Sequence, residues 1–131
     1  MTTTNAETKR IRVLLADDDL PMLAAIHRLL KPHFEIVDMV CDGRSLIESA
    51  VKLKPDVIVS DISMPELNGI EAARTIRRSL PEVRIIFLTM HGNRAYRAAA
   101  INLGISGYVL KSSMREELTK TVRDAFHPRP A

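Results

Sequence analysis

Charged and hydroxyl side chains stand at the ends of four short apolar runs. Asp17 and Asp18 follow "VLLA", Asp61 follows "VIVS", Thr89 closes "IIFLT" and Lys111 follows "YVL". Carboxylates gathered in one small crevice repel one another, so at least one keeps its proton unless a cation is present. Mg²⁺ suits such a site because it takes one or two carboxylates, keeps several waters and accepts phosphate oxygens. These residue types therefore favour phosphoryl chemistry with a hard metal ion.

Asp61 is the candidate nucleophile of this site. With a cation beside it, the carboxylate stays ionised next to a phosphoryl group, which is the state in which it attacks. The Lys111 ammonium offers a point charge and the Thr89 hydroxyl a hydrogen bond. Both match a phosphoryl group whose oxygens share negative charge.

Ordinary structural roles stay open for each residue taken singly. Asp19, directly before "LPML", is better explained as the N-cap of a helix than as a metal ligand. Asp17 and Asp18 are compatible with a solvated acidic turn, Thr89 with a plain strand end and Lys111 with a surface lysine. The functional interpretation depends on their occurrence together, at strand ends that one fold would gather.

The elements that must position these residues alternate along the chain. Segments of helical periodicity begin near Leu20, Arg44, Gly69, Asn93 and Met114. Between them lie near-continuously apolar runs, typical of strands covered on both faces by helices: "IRVLLA", "FEIVDMV", "DVIVS", "VRIIFLT" and "GYVLK". Right-handed β-α units on one core imply an α/β, doubly wound fold with a parallel sheet between two layers of helices. In such sheets ligands bind outside the carboxyl ends of the strands.

Length and composition suit a single domain. The chain has 131 residues, 46% of them hydrophobic, which is enough for one core and too little for two ordinary domains. No stretch approaches the roughly 18 consecutive apolar residues of a membrane helix, and the N-terminus lacks a signal-peptide core. We therefore expect a soluble, cytoplasmic protein with no membrane partner. The single Cys41 excludes an internal disulfide, and the dispersed net charge of +3 argues against direct nucleic-acid binding.

From about Arg10 to Phe126 the sequence resembles the receiver domain of two-component response regulators. The resemblance rests on "LLADDD", "VIVSDISMPELNGIEA", "IIFLTMHG" and "GYVLKSS". It implies a flavodoxin-like (βα)5 three-layer sandwich whose five parallel strands have the order 2-1-3-4-5. It also implies a receiver domain over residues 10–126, a disordered N-terminal extension over 1–9, and a tail or start of a linker over 127–131.

Carried over by position, the resemblance implies a metal and acceptor site. Asp61 is similar to the phosphoacceptor, and Asp17 and Asp18 are similar to the acidic pair that binds Mg²⁺ together with it. In the family a backbone carbonyl two residues beyond the acceptor also ligates the metal. In this chain that carbonyl would belong to Ser63.

The resemblance implies a switch and a rim as well. Thr89 is similar to the switch hydroxyl, Lys111 to the lysine that contacts the phosphoryl group, and Tyr108 to the aromatic residue whose rotamer follows the threonine. Met90 stands where the family usually has a small residue, so we expect it to restrict access to the acyl phosphate. In receivers, the residues at the positions of His91 and Ser63 flank the pocket and tune dephosphorylation. For His91, a solvent-facing position at the rim is favoured over a general-base role.

Ser112 follows the lysine where many receivers have proline, and together with "ADDD" it makes the chain resemble the NarL/LuxR type of response regulator. Those proteins continue into a helix-turn-helix DNA-binding domain. Only "HPRPA" follows Phe126, so such an output domain is either naturally absent or missing from this sequence, and DNA would be contacted only through it.

The implied function is a phosphorylation switch. A sensor histidine kinase would phosphorylate the domain, which would catalyse its own phosphorylation and slow dephosphorylation without acting as an enzyme on another substrate. A change of output surface, with phosphorylation-dependent homodimerisation as a hypothesis, would regulate transcription. Three alternatives stay open: a stand-alone receiver acting through protein contacts, an Asp-nucleophile Mg²⁺-dependent phosphatase, and a receiver-like module that is never phosphorylated.

Overall fold

The computed structural model describes residues 10–90 and 94–127. Its strands and helices alternate along the chain, as the two periodicities predict, and each helix begins within one residue of its predicted start. The strands are β1 (Arg12–Ala16), β2 (Glu35–Val40), β3 (Val57–Ser60), β4 (Arg84–Thr89) and β5 (Gly107–Leu110). The helices are α1 (Leu20–Leu30), α2 (Gly43–Leu53), α3 (Gly69–Ser79), α4 (Arg94–Asn102) and α5 (Met114–Phe126), and a 3-10 turn at Lys111–Ser113 joins β5 to α5.

The five strands form one parallel sheet in the order β2-β1-β3-β4-β5. The chain builds outward from β1 to β2, then returns past β1 to β3 and continues to β5. Because the crossovers of parallel strands are right-handed, this reversal sends helices to opposite faces of the sheet. The doubly wound fold and the strand order are thereby confirmed.

Alternate residues of the central strands feed two separate hydrophobic clusters. In β1, Val13 and Leu15 face α1 and α5, whereas Leu14 faces α2, α3 and α4. This division follows from the period of two along a strand. Helix residues complete each cluster: Leu23, Ile26, Leu30, Leu118 and Val122 on the first face, and Leu46, Ala50, Ile70, Ile76 and Ala100 on the second.

The expectation that every strand is covered on both faces is wrong for the two edge strands, β2 and β5. In β5 only Val109 is buried, and Leu110 is exposed. The larger departure is in β2. Glu35 and Met39 are exposed there and the other four residues are half-buried, whereas every residue of β3 is buried. An edge strand has a neighbour on one side only, so its helices cover it less completely. The polar residues Glu35 and Asp38 inside the apolar run were the available signal.

Side-chain caps begin three of the helices. Asp19 caps α1, accepting a hydrogen bond from the Met22 N–H at 3.2 Å, which confirms its predicted structural role. Asp42 caps α2 and Asn68 caps α3 in the same way. Each of these helices therefore begins at the carboxyl edge of the sheet with an ordered backbone turn.

Some of the features predicted from the sequence involve residues that the structure does not describe. The N-terminal extension 1–9, His91 and residues 128–131 of the tail lie outside the described residues. Within the described part of the chain, no helix has the length and apolar character needed to cross a membrane.

Candidate functional site

Backbone hydrogen bonds continue the parallel ladder one residue past β1 and β3. The Asp17 N–H donates to the Val40 carbonyl oxygen at 3.1 Å, and the Asp61 N–H donates to the Ala16 carbonyl oxygen at 2.9 Å. Asp17 is fully buried and Asp61 is 8% exposed. Although β1 ends at Ala16 and β3 at Ser60, these hydrogen bonds place both aspartates side by side at the carboxyl edge.

The predicted acidic residues converge. Asp17, Asp18 and Asp61 each offer a carboxylate oxygen, and these oxygens lie within 4.8 Å of one another. One oxygen of each buried carboxylate is held by a backbone amide: Asp17 Oδ1 accepts from the Asp19 N–H at 2.9 Å, and Asp61 Oδ1 accepts from the Ile62 N–H at 2.7 Å. The Oδ2 atoms are therefore the ones turned to the shared crevice.

Lys111 bridges the two buried carboxylates. Its Nζ lies 2.8 Å from Asp17 Oδ2 and 3.1 Å from Asp61 Oδ2. The residue directly follows β5, so the side chain crosses the end of β4 to reach β3 and β1. Burial alone lowers the pKa of a lysine, but hydrogen bonds and charge from Asp17 and Asp61 outweigh it and raise the pKa of Lys111. The ammonium is therefore retained at neutral pH.

The crevice carries more acid than base. Burial raises the pKa of Asp17, and the hydrogen bonds from Lys111 and from the Asp19 amide offset this only in part. Three carboxylates thus share the crevice with one ammonium, which pairs with two of them. A donor set made only of hard oxygens suits Mg²⁺, whereas Zn²⁺ prefers nitrogen and sulfur ligands. The residues present fit a hard divalent cation.

A tight turn closes the loop that follows Asp61. The Gly69 N–H donates to the Ile62 carbonyl oxygen at 2.7 Å, and a β-carbon at Gly69 would collide with the Asp61 carbonyl oxygen. The Ser60 hydroxyl donates to that same carbonyl at 2.7 Å. Ser63 lies exposed in this loop, two residues beyond the acceptor. Ser60 was not among the predicted site residues, although its hydroxyl bonds to the acceptor's own backbone. The sequence marked it only as a hydroxyl residue at the end of an apolar run.

The predicted switch residues occupy neighbouring strands. Thr89 is the buried last residue of β4, and Met90 beside it is 58% exposed, at the rim. Tyr108 on β5 is half-buried, and its hydroxyl oxygen is buried without a hydrogen bond from any described residue. Burial raises the pKa of Tyr108, while Arg97 opposes the change.

Arg97 of α4 covers the ring of Tyr108, with its guanidinium carbon 5.2 Å from the ring centroid. A cation over an aromatic face at this distance is attracted by the ring quadrupole. The contact joins α4 to β5 and was not predicted, because nothing in the spacing of residues 97 and 108 indicates that they meet.

The model of the response regulator receiver domain family matches residues 13–123, so the chain belongs to this family. The transcriptional regulatory protein DegU of Brevibacillus brevis is 34% identical over 116 residues, covering 87% of this chain and 49% of DegU. The crystal structure of a LuxR-family two-component response regulator from Aurantimonas sp. SI85-9A1 matches with a TM-score of 0.86 and 32% identity, covering 94% of this chain and 89% of that one.

A relative of a different kind also matches. The protein-glutamate methylesterase/protein-glutamine glutaminase of Archaeoglobus fulgidus is 37% identical over 126 residues, covering 88% of this chain and 36% of the relative. The chain thus spans about half or less of the length of these curated relatives. The domain is a receiver of two-component signal transduction, a class that binds Mg²⁺ at an acidic pocket and pairs with histidine kinases.

Proposed function

We propose that Asp61 is the phosphoacceptor of this receiver and that the phosphohistidine of a sensor histidine kinase is its donor. The observation that carries the proposal is the buried contact between Lys111 Nζ and Asp61 Oδ2 at 3.1 Å. A buried ammonium beside one carboxylate oxygen stabilises negative charge at the position that an incoming phosphoryl group would occupy.

Asp61 supplies the attacking oxygen. Because the Ile62 amide holds Oδ1, Oδ2 is the oxygen that faces the crevice. A phosphorus–oxygen bond to Asp61 forms while the phosphorus–nitrogen bond to the donor histidine breaks. The charge that develops on the phosphoryl oxygens is met by Lys111, whose field is strong because the site is shielded from bulk water.

The proposed ligands of Mg²⁺ are the carboxylates of Asp17, Asp18 and Asp61 and the backbone carbonyl of Ser63. When bound there, the ion neutralises charge on the transferring oxygens. Asp17 has a second task, since its ion pair with Lys111 at 2.8 Å holds the ammonium in the crevice. Asp18, which is exposed, leaves one side of the site open to a phosphoryl donor.

The response is proposed to pass through Thr89, Tyr108 and Arg97. Charge added at Asp61 attracts the Thr89 hydroxyl at the end of the adjoining strand. A change in the position of the Tyr108 ring would then alter its contact with Arg97 and so the surface of α4. Met90, which is exposed beside Thr89, and His91, which lies outside the described residues, are proposed to control access of water and partners to the acyl phosphate and thereby its slow hydrolysis.

The output is proposed to be transcriptional, through a DNA-binding domain outside this chain. The similarity to DegU and to the LuxR-family regulator supports it, while the methylesterase relative shows that closely similar receivers serve other outputs. The cytoplasm is its proposed place of action on the family resemblance alone. The proposed domain boundaries remain 10–126, close to the matched range of 13–123.

Phosphorylation-dependent homodimerisation is proposed to use either α1 and α5 or α4. Tyr96 and Ile101 are exposed on α4 at 39% and 61%. Light scattering of the phosphorylated and unphosphorylated chain tests it, and the mass should rise with phosphorylation. A monomer in both states at high concentration would exclude the dimer.

Incubation with a small acyl-phosphate donor and Mg²⁺, followed by intact-mass analysis, tests the acceptor. The wild type should gain one phosphate and stop, whereas Asp61→Asn should gain none. Asp56→Asn is the matched control: it removes a half-buried carboxylate at the opposite edge of the sheet and should label like the wild type.

Three other results would contradict the proposal. An unlabelled wild type, beside a receiver that does label, would indicate a module that is never phosphorylated. Labelling of Asp61→Asn would move the acceptor elsewhere. Continuous release of phosphate from a phosphomonoester would identify a phosphatase.

A further inference from the structure

One peptide unit, formed by the Asp61 carbonyl and the Ile62 N–H, takes part in a hydrogen bond at each of its two ends. The Ser60 hydroxyl donates to the carbonyl oxygen at 2.7 Å, and the N–H donates to Asp61 Oδ1 at 2.7 Å. Both bonds are buried. They form a chain that runs from the Ser60 side chain, through the backbone, to the carboxylate of the proposed acceptor.

The surroundings of this peptide unit are closely packed. Ser60 is 1% exposed and lies in β3 between Ala16 of β1 and Phe87 of β4. At the start of α3, Gly69 approaches so closely that a β-carbon there would collide with the Asp61 carbonyl oxygen. The Ser60 hydroxyl therefore satisfies a carbonyl in a crowded position, where loss of a hydrogen bond is costly.

We propose that Ser60 is a positioning residue for phosphorylation, which sets the orientation of the Asp61 carboxylate through the Ile62 amide. A hydrogen bond accepted by a peptide carbonyl polarises the peptide and strengthens the bond that its N–H donates. The Ser60 hydroxyl therefore tightens the hold of the amide on Oδ1, and Oδ2 stays directed at the crevice. The inference rests on the proposed role of Asp61 as the phosphoacceptor.

The hold on Oδ1 matters most during transfer. Before transfer, Lys111 Nζ lies 3.1 Å from Asp61 Oδ2 and orients the carboxylate as well. As the phosphorus–oxygen bond to Oδ2 forms and the bond from phosphorus to the donor breaks, the ammonium is drawn to the charged phosphoryl oxygens, whereas the amide still holds Oδ1. Ser60 should therefore affect the maximal rate of transfer and leave binding of the donor unchanged.

Two pairs of side chains that differ by one hydroxyl group test the proposal at position 60. The first pair is the wild type and Ser60→Ala, and the second is Ser60→Thr and Ser60→Val, which have nearly the same shape. With a small acyl-phosphate donor and Mg²⁺, the variant without the hydroxyl should have a maximal labelling rate about tenfold lower than its partner in each pair. The donor concentration that gives half the maximal rate should not change.

A second measurement does not depend on phosphorylation. In ¹H–¹⁵N spectra without donor or Mg²⁺, the Ile62 amide proton should resonate further downfield in the wild type and Ser60→Thr than in Ser60→Ala and Ser60→Val, because its hydrogen bond to Asp61 is stronger. Arg77→Met is the control for a general loss of stability, since Arg77 donates to the Val83 carbonyl at 2.7 Å at the amino edge of the sheet, where the strands begin. It should change neither the labelling rate nor the Ile62 resonance.

Equal labelling rates within each pair, or an Ile62 resonance that does not respond to the hydroxyl, would overturn the role of Ser60. An equal loss of rate in Arg77→Met would also overturn it, because stability alone would then account for the effect. If the wild type gains no phosphate, the acceptor role of Asp61 is itself wrong, and a response of the Ile62 resonance would distinguish that failure from the failure of the hydrogen-bond chain.

Discussion

The two edges of the sheet both carry charged side chains, but they use them differently. At the amino edge these groups bond to the backbone: Arg77 donates to the carbonyls of Val83 at 2.7 Å, Pro81 at 3.1 Å and Gly104 at 3.3 Å, and Asp56 accepts from the Arg12 N–H at 2.8 Å. There, charge completes the hydrogen bonding of loops, which stabilises the fold.

At the carboxyl edge the charges face each other. Asp17, Asp18 and Asp61 lie close together, Lys111 pairs with Asp17 and Asp61, and burial raises the pKa of Asp17. Natural proteins retain such arrangements where function requires them. The comparison therefore separates a structural edge from a reactive one, and matched substitutions at the two edges test it.

The largest difference in phosphorylation rate is expected between substitutions of two cations, the buried Lys111 at the carboxyl edge and the half-buried Arg77 at the amino edge. Lys111→Met should slow phosphorylation of Asp61 by about 100-fold, because it removes preorganised positive charge from the transferring group. Arg77→Met should leave that rate unchanged and lower the free energy of unfolding by about 2 kcal/mol through its lost carbonyl hydrogen bonds. Initial rates from intact-mass analysis and urea unfolding supply both values. Equal losses of rate would remove the distinction between the edges.

Asparagine substitutions at Asp17 and Asp56 should change stability in opposite directions when Mg²⁺ is absent. Since burial raises the pKa of Asp17 above its usual 3.8, its ionised form opposes folding, and wild-type stability falls as pH rises through the folded-state value. Asp17→Asn should therefore stabilise by about 1 kcal/mol at neutral pH. Asp56→Asn should destabilise slightly, because it weakens the hydrogen bond to the Arg12 amide.

Urea unfolding of both variants between about pH 3 and 8 in chelator provides the measurement, over a range that spans the usual pKa of an aspartate. The pH dependence assigned to Asp17 should disappear in Asp17→Asn and persist in Asp56→Asn. A loss of stability in Asp17→Asn would mean that its ion pair with Lys111 outweighs the burial of its charge.

The smallest expected effect is a difference in Mg²⁺-dependent stability between variants of two neighbouring residues at the carboxyl edge, Asp18 and Asp19. At a Mg²⁺ concentration equal to its Kd, the ion should stabilise the wild type by about 0.4 kcal/mol. Asp18→Asn should lose this response because it removes a proposed ligand. Asp19→Asn should keep it, since Asp19 caps α1 and asparagine caps equally well. Mg²⁺ titrations followed by urea unfolding measure the difference, and an unchanged response in Asp18→Asn would exclude it as a ligand.

Much of the reactive edge could be predicted because each residue is marked locally. Asp61 follows a fully apolar run, and the ends of parallel strands must share an edge, so its approach to Asp17 follows from the topology. The cap at Asp19 is likewise a local signal. The predicted burial of β2 and β5 was wrong, because burial depends on whether a strand lies at the edge of the sheet, which apolar content alone does not reveal.

Contacts between distant residues were out of reach. The bridge from Lys111 to both carboxylates requires the side chain to cross the end of β4, and the Arg97–Tyr108 contact depends on how α4 lies over β5. Packing also produces the shallow groove between the segments that enter β3 and β4. At its edge, Arg84 Nη1 donates a hydrogen bond to the Glu82 carbonyl oxygen.

The sequence by itself determined the alternation of strand and helix, the parallel class of the sheet and the identity of the residues at its carboxyl edge, because periodicity and strand-end chemistry are local properties. Only the tertiary structure decided which oxygen of each buried aspartate meets Lys111 and which is held by a backbone amide. Those choices depend on sub-ångström placement of groups far apart in the chain, where burial makes every unmatched charge costly.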